Sequence, residues 1–390
     1  MAAKQSTKAK AWVLFDRIVD LAAPGGVHSN PWVKCSDGQL RFEPDYNTLM
    51  QLLGVPLYLK AETQSGVPAL ALDVWLSYEL RRAGFDSDQA WPRPVHPRIL
   101  PAPVAALLKS LPTGTRATVA DRLKKQASIP DVTSSSASIL GKNYLKQVDV
   151  IITDWATGPE LLISTKRMDS SYGKNAPNRI EESYGDAKNL RLRHPLAALG
   201  FVFGLRSDIL EKEPRTAAWL FDLLAKLGRE DDAYHATCLV LMEYSDDGEI
   251  PDTGEKRHAE GVPELGLELD NEEDLPAPAP ESEVDREIVR LPHVTILDEE
   301  TPDDLAPSRF LTAMVTRVLG TTPVNMHEEA VTGKFIQATT NNCNYLDFFK
   351  KIYGLPWTPP RQWGCLPPRR GGSGRKELLR LWPEPCARTV

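Results

Sequence analysis

The sequence predicts an α/β protein with a central mixed β-sheet flanked by helices. Two observations carry this. Stretches with helical apolar spacing alternate through the middle of the chain with short β-branched or continuously apolar runs, the pattern of helices laid on a sheet. The stretch Gln147 to Arg193 opens as a β-hairpin and passes through a polar loop into a helix.

Taken in order, Lys10 to Ala22 reads as a short helix ended by Pro24-Gly25-Gly26, and DYNTLMQLLG as a further amphipathic turn. Residues 1–60 are thus an N-terminal helical segment with no assignable chemistry. Pro68 to Ala83 is a stronger helix, with Pro near its start and Gly84 just past its end. Its apolar stripe of Leu72, Leu76, Leu80 and Ala83 takes in Glu79. A carboxylate on a buried face needs a partner or a metal; Glu79 either pairs with Arg81 or Arg82, or reaches the edge, or serves a site. Residues 61–245 form the core domain, interrupted around 85–140 by proline-rich and low-complexity surface insertions.

Val148 to Trp155 and Glu160 to Lys166 are the hairpin strands, joined by Ala156-Thr157-Gly158-Pro159. With Thr157 and Gly158 at the centre of the turn, Asp149 faces Lys166 with Ser164 beside it, while Asp154 falls near the turn. A cross-strand Asp and Lys is also what a plain solvated ion pair looks like. The next helix begins near Asn178, a good N-cap, and carries Glu181, Glu182, Asp186, Lys188 and Arg191. Acids in a first turn suit the helix dipole without any further role. Pro195 closes this helix. LAALGFVFGL then reads as a buried strand, Pro214 to Leu227 as a helix, and Tyr234 to Tyr244 as a strand in which His235 is a satisfied core residue.

Residues 246–290 read as an acidic linker or long loop, with REIVRLPHVTILD as one more strand around its end. Within the C-terminal region, 291–390, Leu305 to Leu319 and Tyr345 to Tyr353 have helical spacing. The closing TPPRQWGCLPPRRGGSGRKELLRLW suits phosphate contact and ring stacking, and suits a loose tail equally.

Composition narrows the partners. The net charge is −7, but Glu243 to Asp304 alone holds 22 acidic and 4 basic residues, so the remainder is net basic, as a DNA-binding body would be. Five widely spaced cysteines, without a CxxC pair, argue against a disulfide framework or structural zinc. Without an apolar run approaching the roughly 20 residues of a membrane span, or a long apolar signal segment, a cytoplasmic protein without membrane partners is expected.

A first helix with an inward Glu, a hairpin with Asp early on one strand and a lysine ending the next, then helix and strand, resembles the PD-(D/E)xK nuclease superfamily, which includes most type II restriction endonucleases. The likeness runs from about Glu62 to Tyr244 and is densest over Asp149 to Arg193. It departs from the usual pattern at Ser164, where an acid two residues before the lysine is normal. A swapped variant of the family has SxK on the strand and draws the missing acid from the following helix; Glu181 and Glu182 lie 15 and 16 residues after Lys166. Taking Ile180, Tyr184, Ala187 and Arg191 as one face puts Glu181 about 100° and Glu182 about 200° from Ile180, which favours Glu181 without deciding the matter.

The resemblance implies a restriction-endonuclease-like core with N-terminal and C-terminal additions. It implies an endodeoxyribonuclease that hydrolyses duplex DNA with Mg²⁺, or Mn²⁺ in its place, held by Asp149 with Glu181 or Glu182. Lys166 is then the catalytic cation, Glu79 supports the metal or the lysine, and Lys174, Arg179, Lys188, Arg191 and Arg193 hold the DNA backbone. A homodimer, and a methyltransferase protecting the same DNA site, are the implied partners. Two other readings stay open: a modification-dependent or phage-defence nuclease with a separate recognition module, and an inactive relative that only binds DNA or scaffolds a complex.

Overall fold

Helix α1 (Thr7–Ala22) starts at Ser6, whose hydroxyl accepts the Ala9 N–H, the usual satisfaction of a free first-turn donor. The computed structural model describes residues 5–124, 129, 137–229, 233–245, 279–323 and 325–339. A small hairpin of β1 (Trp32–Lys34) and β2 (Leu40–Phe42) follows, then α2 (Tyr46–Tyr58) and α3 (Val67–Arg82). The proline-rich stretch supplies β3 (Ala90–Trp91), α4 (Ala102–Ser110) and α5 (Thr113–Lys124). Next come a second hairpin of β4 (Ala137–Leu140) and β5 (Leu145–Val148), the central strands β6 (Val150–Asp154) and β7 (Gly158–Met168), and α6 (Tyr172–Arg191). The core continues through β8 (Ala198–Arg206), α7 (Ile209–Lys212), α8 (Pro214–Leu227) and β9 (Ala236–Glu243). Last are α9 (Glu281–Ile288), β10 (Thr295–Ile296), α10 (Pro307–Thr321) and α11 (Glu328–Thr339).

Six strands form one mixed sheet in the order β10-β9-β8-β7-β6-β3. The β7–β8 and β8–β9 pairs are parallel and the rest antiparallel, because α6 and then α7 with α8 supply the crossovers that parallel neighbours require. All nine positions of β8 are buried, as expected of a central strand covered on both faces. Inward residues of β6 and β7 such as Ile152 and Ile163 join α1, α2, α3 and α10 in one core. Ile151, Leu162 and Phe201 face a second core with α6 and α8. Ala217, Leu220, Leu224 and Leu227 give α8 a single buried stripe, and each fully buried leucine is worth about 2 kcal/mol. The expected α/β layout of a mixed sheet between helices is therefore present. Among the described residues no helix is long and apolar enough to cross a membrane.

Several local expectations shift. Val150 pairs with Ile163 and Asp154 with Gly158, across a bulge after Ile152, so the connecting loop is Trp155 to Thr157. Gly158 takes φ +73°, a left-handed conformation open to glycine at little cost, and closes a three-residue turn instead of the expected four-residue one. Continuing that register sets Asp149 level with Ser164, two residues from the expected Lys166. Helix α6 begins at Tyr172, six residues before Asn178, and runs through Pro177. Tertiary contacts hold its first turn: Tyr172 is buried and donates to the Asp169 carbonyl, and the Gly173 N–H meets the Glu213 carboxylate at 2.9 Å. The run REIVRLPHVTILD contributes only β10 to the sheet, its first residues ending α9. His235 is half-buried between the Leu199 N–H and Arg191, satisfied as expected but at the edge of the core. Most of the acidic stretch and the Tyr345–Tyr353 and Trp/Arg-rich segments lie outside the described residues.

Candidate functional site

The site forms where the chain bends at Asp149 between β5 and β6 and meets the end of β7. Asp149 Oδ2 accepts the backbone N–H of Thr165 at 2.8 Å. Alternation along β7 sends Thr165 to one face and its neighbours Ser164 and Lys166 to the other. On the first face Thr165 Oγ1 donates to Asp73 Oδ1 of α3 at 2.5 Å. One residue thus holds two carboxylates, through its backbone and through its side chain. On the second face Lys166 Nζ lies 3.7 Å from Glu182 Oε1 of α6.

Lys146, on β5, reaches the same oxygen of Glu182 at 3.5 Å. It also forms an ion pair with Asp186, one helical turn further along α6, and Asp186 accepts the Tyr144 hydroxyl at 3.0 Å. The centre is therefore a chain of alternating charges, Asp186, Lys146, Glu182 and Lys166, next to Asp149 and Asp73.

The electrostatics are uneven. Burial pushes the Asp73 carboxyl well above its ordinary value and the nearby Asp149 charge adds to this, only partly offset by Thr165 and Lys166. Asp149 is likewise raised by desolvation, against the opposing pull of the Thr165 N–H, Lys166 and Lys146. Burial raises Glu182 too, but Lys166 and Lys146 outweigh it and hold this carboxyl below its ordinary value. Asp73 thus feels both its burial and the Asp149 charge, while Glu182 is held below its ordinary value by two ammonium groups. Among the described residues no three Asp, Glu, His or Cys side chains are gathered into a metal cage. Asp73 and Asp149 are nevertheless two hard oxygen donors tied to one residue, Thr165, and a cation between them would offset the Asp149 charge that raises Asp73. A pair is enough for Mg²⁺, which usually takes one or two protein carboxylates and completes its shell with water and substrate oxygens.

The expected site residues divide clearly. Asp149, Lys166 and Glu182 are brought together. Glu181 and Glu182 are both exposed on α6, and Glu182 is the one that reaches Lys166 and Lys146. The buried stripe of that helix runs through Ala176, Ile180, Ser183, Ala187 and Leu190, not through Tyr184 and Arg191, and this turns Glu182 toward the sheet. Glu79 is fully buried but belongs elsewhere: Arg82 donates to its Oε2 and the Asp45 N–H to its Oε1, both at 2.6 Å. Its pairing alternative is the one realised. Of the five basic residues, Lys174 and Arg193 are exposed, Arg179 is buried, Lys188 lies over the Tyr184 ring and Arg191 bonds to His235.

Asp73, Thr165, Lys146, Asp186 and Tyr144 are the site residues that sequence reasoning passes over. Asp73 carried a signal, a single acid inside Leu72-Asp73-Val74-Trp75-Leu76 on a helix. The stripe argument cannot use it, because α3 is buried on nearly every side and so has no distinct apolar face. The chain matches no known protein family, no characterised protein and no solved structure, so what this cluster does rests on its own chemistry.

Proposed function

We propose that the protein is a Mg²⁺-dependent endonuclease of the restriction type, hydrolysing phosphodiester bonds in duplex DNA. One observation carries this reading: Asp149, Lys166 and Glu182, three residues expected of the swapped PD-(D/E)xK pattern, converge from the β5–β6 bend, β7 and α6, with Asp73 as an added acid.

Asp149 and Asp73 would hold the ion, while Glu182 stands on the other face of β7 beside Lys166. A bound Mg²⁺ would neutralise charge on the scissile phosphate and favour ionisation of a water ligand. Lys166 is a compact point charge on a flexible stem; it orients the attacking water and stabilises negative charge as it develops on the phosphoryl oxygens. Thr165 fixes both aspartates relative to the strand, so the carboxylates are in place before substrate arrives. Ser164 takes the strand position usually held by an acid, and Glu182 replaces that acid from the helix. Mn²⁺ is the expected substitute ion. Cutting both strands favours a homodimer, and a methyltransferase acting on the same DNA site is the natural protective partner.

The test is Mg²⁺-dependent conversion of supercoiled plasmid to nicked and linear forms. The Lys166→Ala protein should lose cleavage while keeping the wild-type melting temperature; cleavage at the wild-type rate by this variant would sink the proposal. A second reading, an inactive DNA-binding relative, is favoured by Ser164 and by the engagement of Glu182 with two lysines instead of a free carboxylate. It expects duplex binding with no cleavage under any divalent cation. A modification-dependent nuclease differs from both in cutting methylated plasmid in preference to unmethylated plasmid.

A further inference from the structure

The nuclease reading uses Asp149, Asp73, Lys166 and Glu182 and leaves Lys146 unexplained. We infer that Lys146 is a second phosphate-binding cation of this site, placed to take a DNA backbone phosphate beside the one that Lys166 serves. This rests on the nuclease reading and extends it.

The argument begins with donors. An ammonium has three N–H donors. Lys146 makes a short contact to Asp186 and only a loose one, 3.5 Å, to Glu182. Lys166 approaches the same Glu182 oxygen at 3.7 Å, also well beyond the roughly 2.8 Å of a good charge-assisted hydrogen bond. One carboxylate oxygen thus faces two ammonium groups and saturates neither. The Glu182 side chain between them is 45% exposed, so a phosphodiester that displaces it would set its two free oxygens against both ammonium groups.

The position of Lys146 is also built. Asp186 is buried and fixed by the Tyr144 hydroxyl, so it anchors the Lys146 ammonium from behind. The turn that carries Tyr144 is itself pinned to α6 by Asn189, which is buried. Its Oδ1 accepts the Asn143 N–H at 2.8 Å, its Nδ2 donates to the Tyr144 carbonyl at 3.0 Å, and its own carbonyl accepts the Lys142 N–H at 2.8 Å. Such anchoring exceeds what an ordinary surface ion pair shows, and it keeps a positive charge in place ahead of binding, as electrostatic preorganisation requires. Burial works against the charged form of Lys146, but Asp186 and Glu182 outweigh it and keep it above its ordinary value.

The experiment measures binding apart from cleavage. Fluorescence anisotropy of a labelled DNA duplex is followed in Ca²⁺ from 50 to 200 mM salt, a range in which each lost phosphate contact reduces the log–log salt slope by about 0.9. Lys146→Met and Lys146→Gln should both bind more weakly at low salt with a slope shallower by about that amount. Lys146→Arg should keep the slope, as should Lys226→Met on the exposed side of α8. Wild-type slopes in both Lys146→Met and Lys146→Gln would overturn the inference, and so would failure of the wild-type protein to bind duplex at all. Plasmid cleavage in Mg²⁺ is run alongside. Cleavage by wild type with unchanged variant slopes removes the Lys146 inference alone; a shallower variant slope without wild-type cleavage leaves the phosphate contact standing and removes the nuclease reading.

Discussion

Strand β7 ends in two charged clusters that share neighbouring residues and are built in opposite ways. At Arg167 and Asp169 the charges are buried and closed on each other: Arg167 donates from Nε and Nη2 to the Asp169 carboxylate at 2.9 to 3.1 Å, and the Tyr244 hydroxyl donates to the same group at 2.6 Å. At Lys166, one residue earlier, the charges are partly open: the Lys166 ammonium stands 3.7 Å from Glu182, and the Asp149 charge adds to the desolvation that raises Asp73. The first arrangement pairs its charges with each other, leaving only Arg167 Nη1 of that guanidinium without a hydrogen bond among the described residues. The second is more open to solvent, and in the proposed nuclease reading it is where a cation and a phosphate would be received.

The largest expected effect breaks the open cluster without disturbing the closed one. Asp149→Asn should lower the rate of Mg²⁺-dependent cleavage by about a thousandfold or more, equivalent to about 4 kcal/mol, with no loss of thermal stability. Single-turnover cleavage and melting curves check this together; a destabilised protein with normal cleavage would reverse the assignment of roles.

Asp169→Asn does the converse. It leaves the Arg167 charge buried without its carboxylate, a change that costs about 3 to 5 kcal/mol of folding stability. Urea unfolding should show that loss, with cleavage kept by the folded fraction at temperatures below the transition.

A third comparison sets Glu79 against Asp73 on α3. Desolvation in a fully buried position raises Glu79 to about 7, despite Arg82 and the Asp45 N–H. Its folded value exceeds its unfolded one, so the contribution to stability is complete below the unfolded value and is lost as pH rises toward 7. The loss is on the order of 3 kcal/mol. Glu79→Gln should flatten that portion of the stability–pH curve relative to wild type without moving the pH profile of cleavage. Movement of the cleavage profile would place Glu79 in the site after all.

The smallest effect is expected from Thr165→Val. Removing the hydroxyl takes away a hydrogen bond that lowers the Asp73 carboxyl, so Asp73 should rise further. The acid limb of the cleavage profile should move to higher pH; an unmoved limb would separate Asp73 from metal binding.

Much of this arrangement was legible in the chain. The span Pro214–Leu227 is the helix its spacing predicts, and the apolar runs around Phe201 and Leu239 are the strands expected of them, which the structure pairs in parallel. In the site, Asp149 and Lys166 could be picked out because hairpin chemistry brings the ends of two strands together over a short loop. The pairing of Asp149 with Lys166 could not be fixed in the same way. Register depends on a bulge after Ile152 and on Gly158 closing a shorter turn, and a small slip changes which side chains are level.

The sequence by itself determined the sheet-and-helix alternation, the hairpin at the centre and the identity of two of its charged residues, because periodicity and turn chemistry are local. Only the tertiary structure decided which acids join them. Glu79 and Asp73 share one helix that is buried almost all round, and what separates them is the neighbour each meets: Arg82 and the Asp45 amide for one, Thr165 for the other. Glu182 prevails over Glu181 because α6 is rotated by the packing of Ser183, Ala187 and Leu190 against the sheet. Lys146 and Asp186 enter through a hairpin held on that helix by Asn189. Desolvation and partner choice are properties of packed surfaces, and they appear only once distant segments lie against one another.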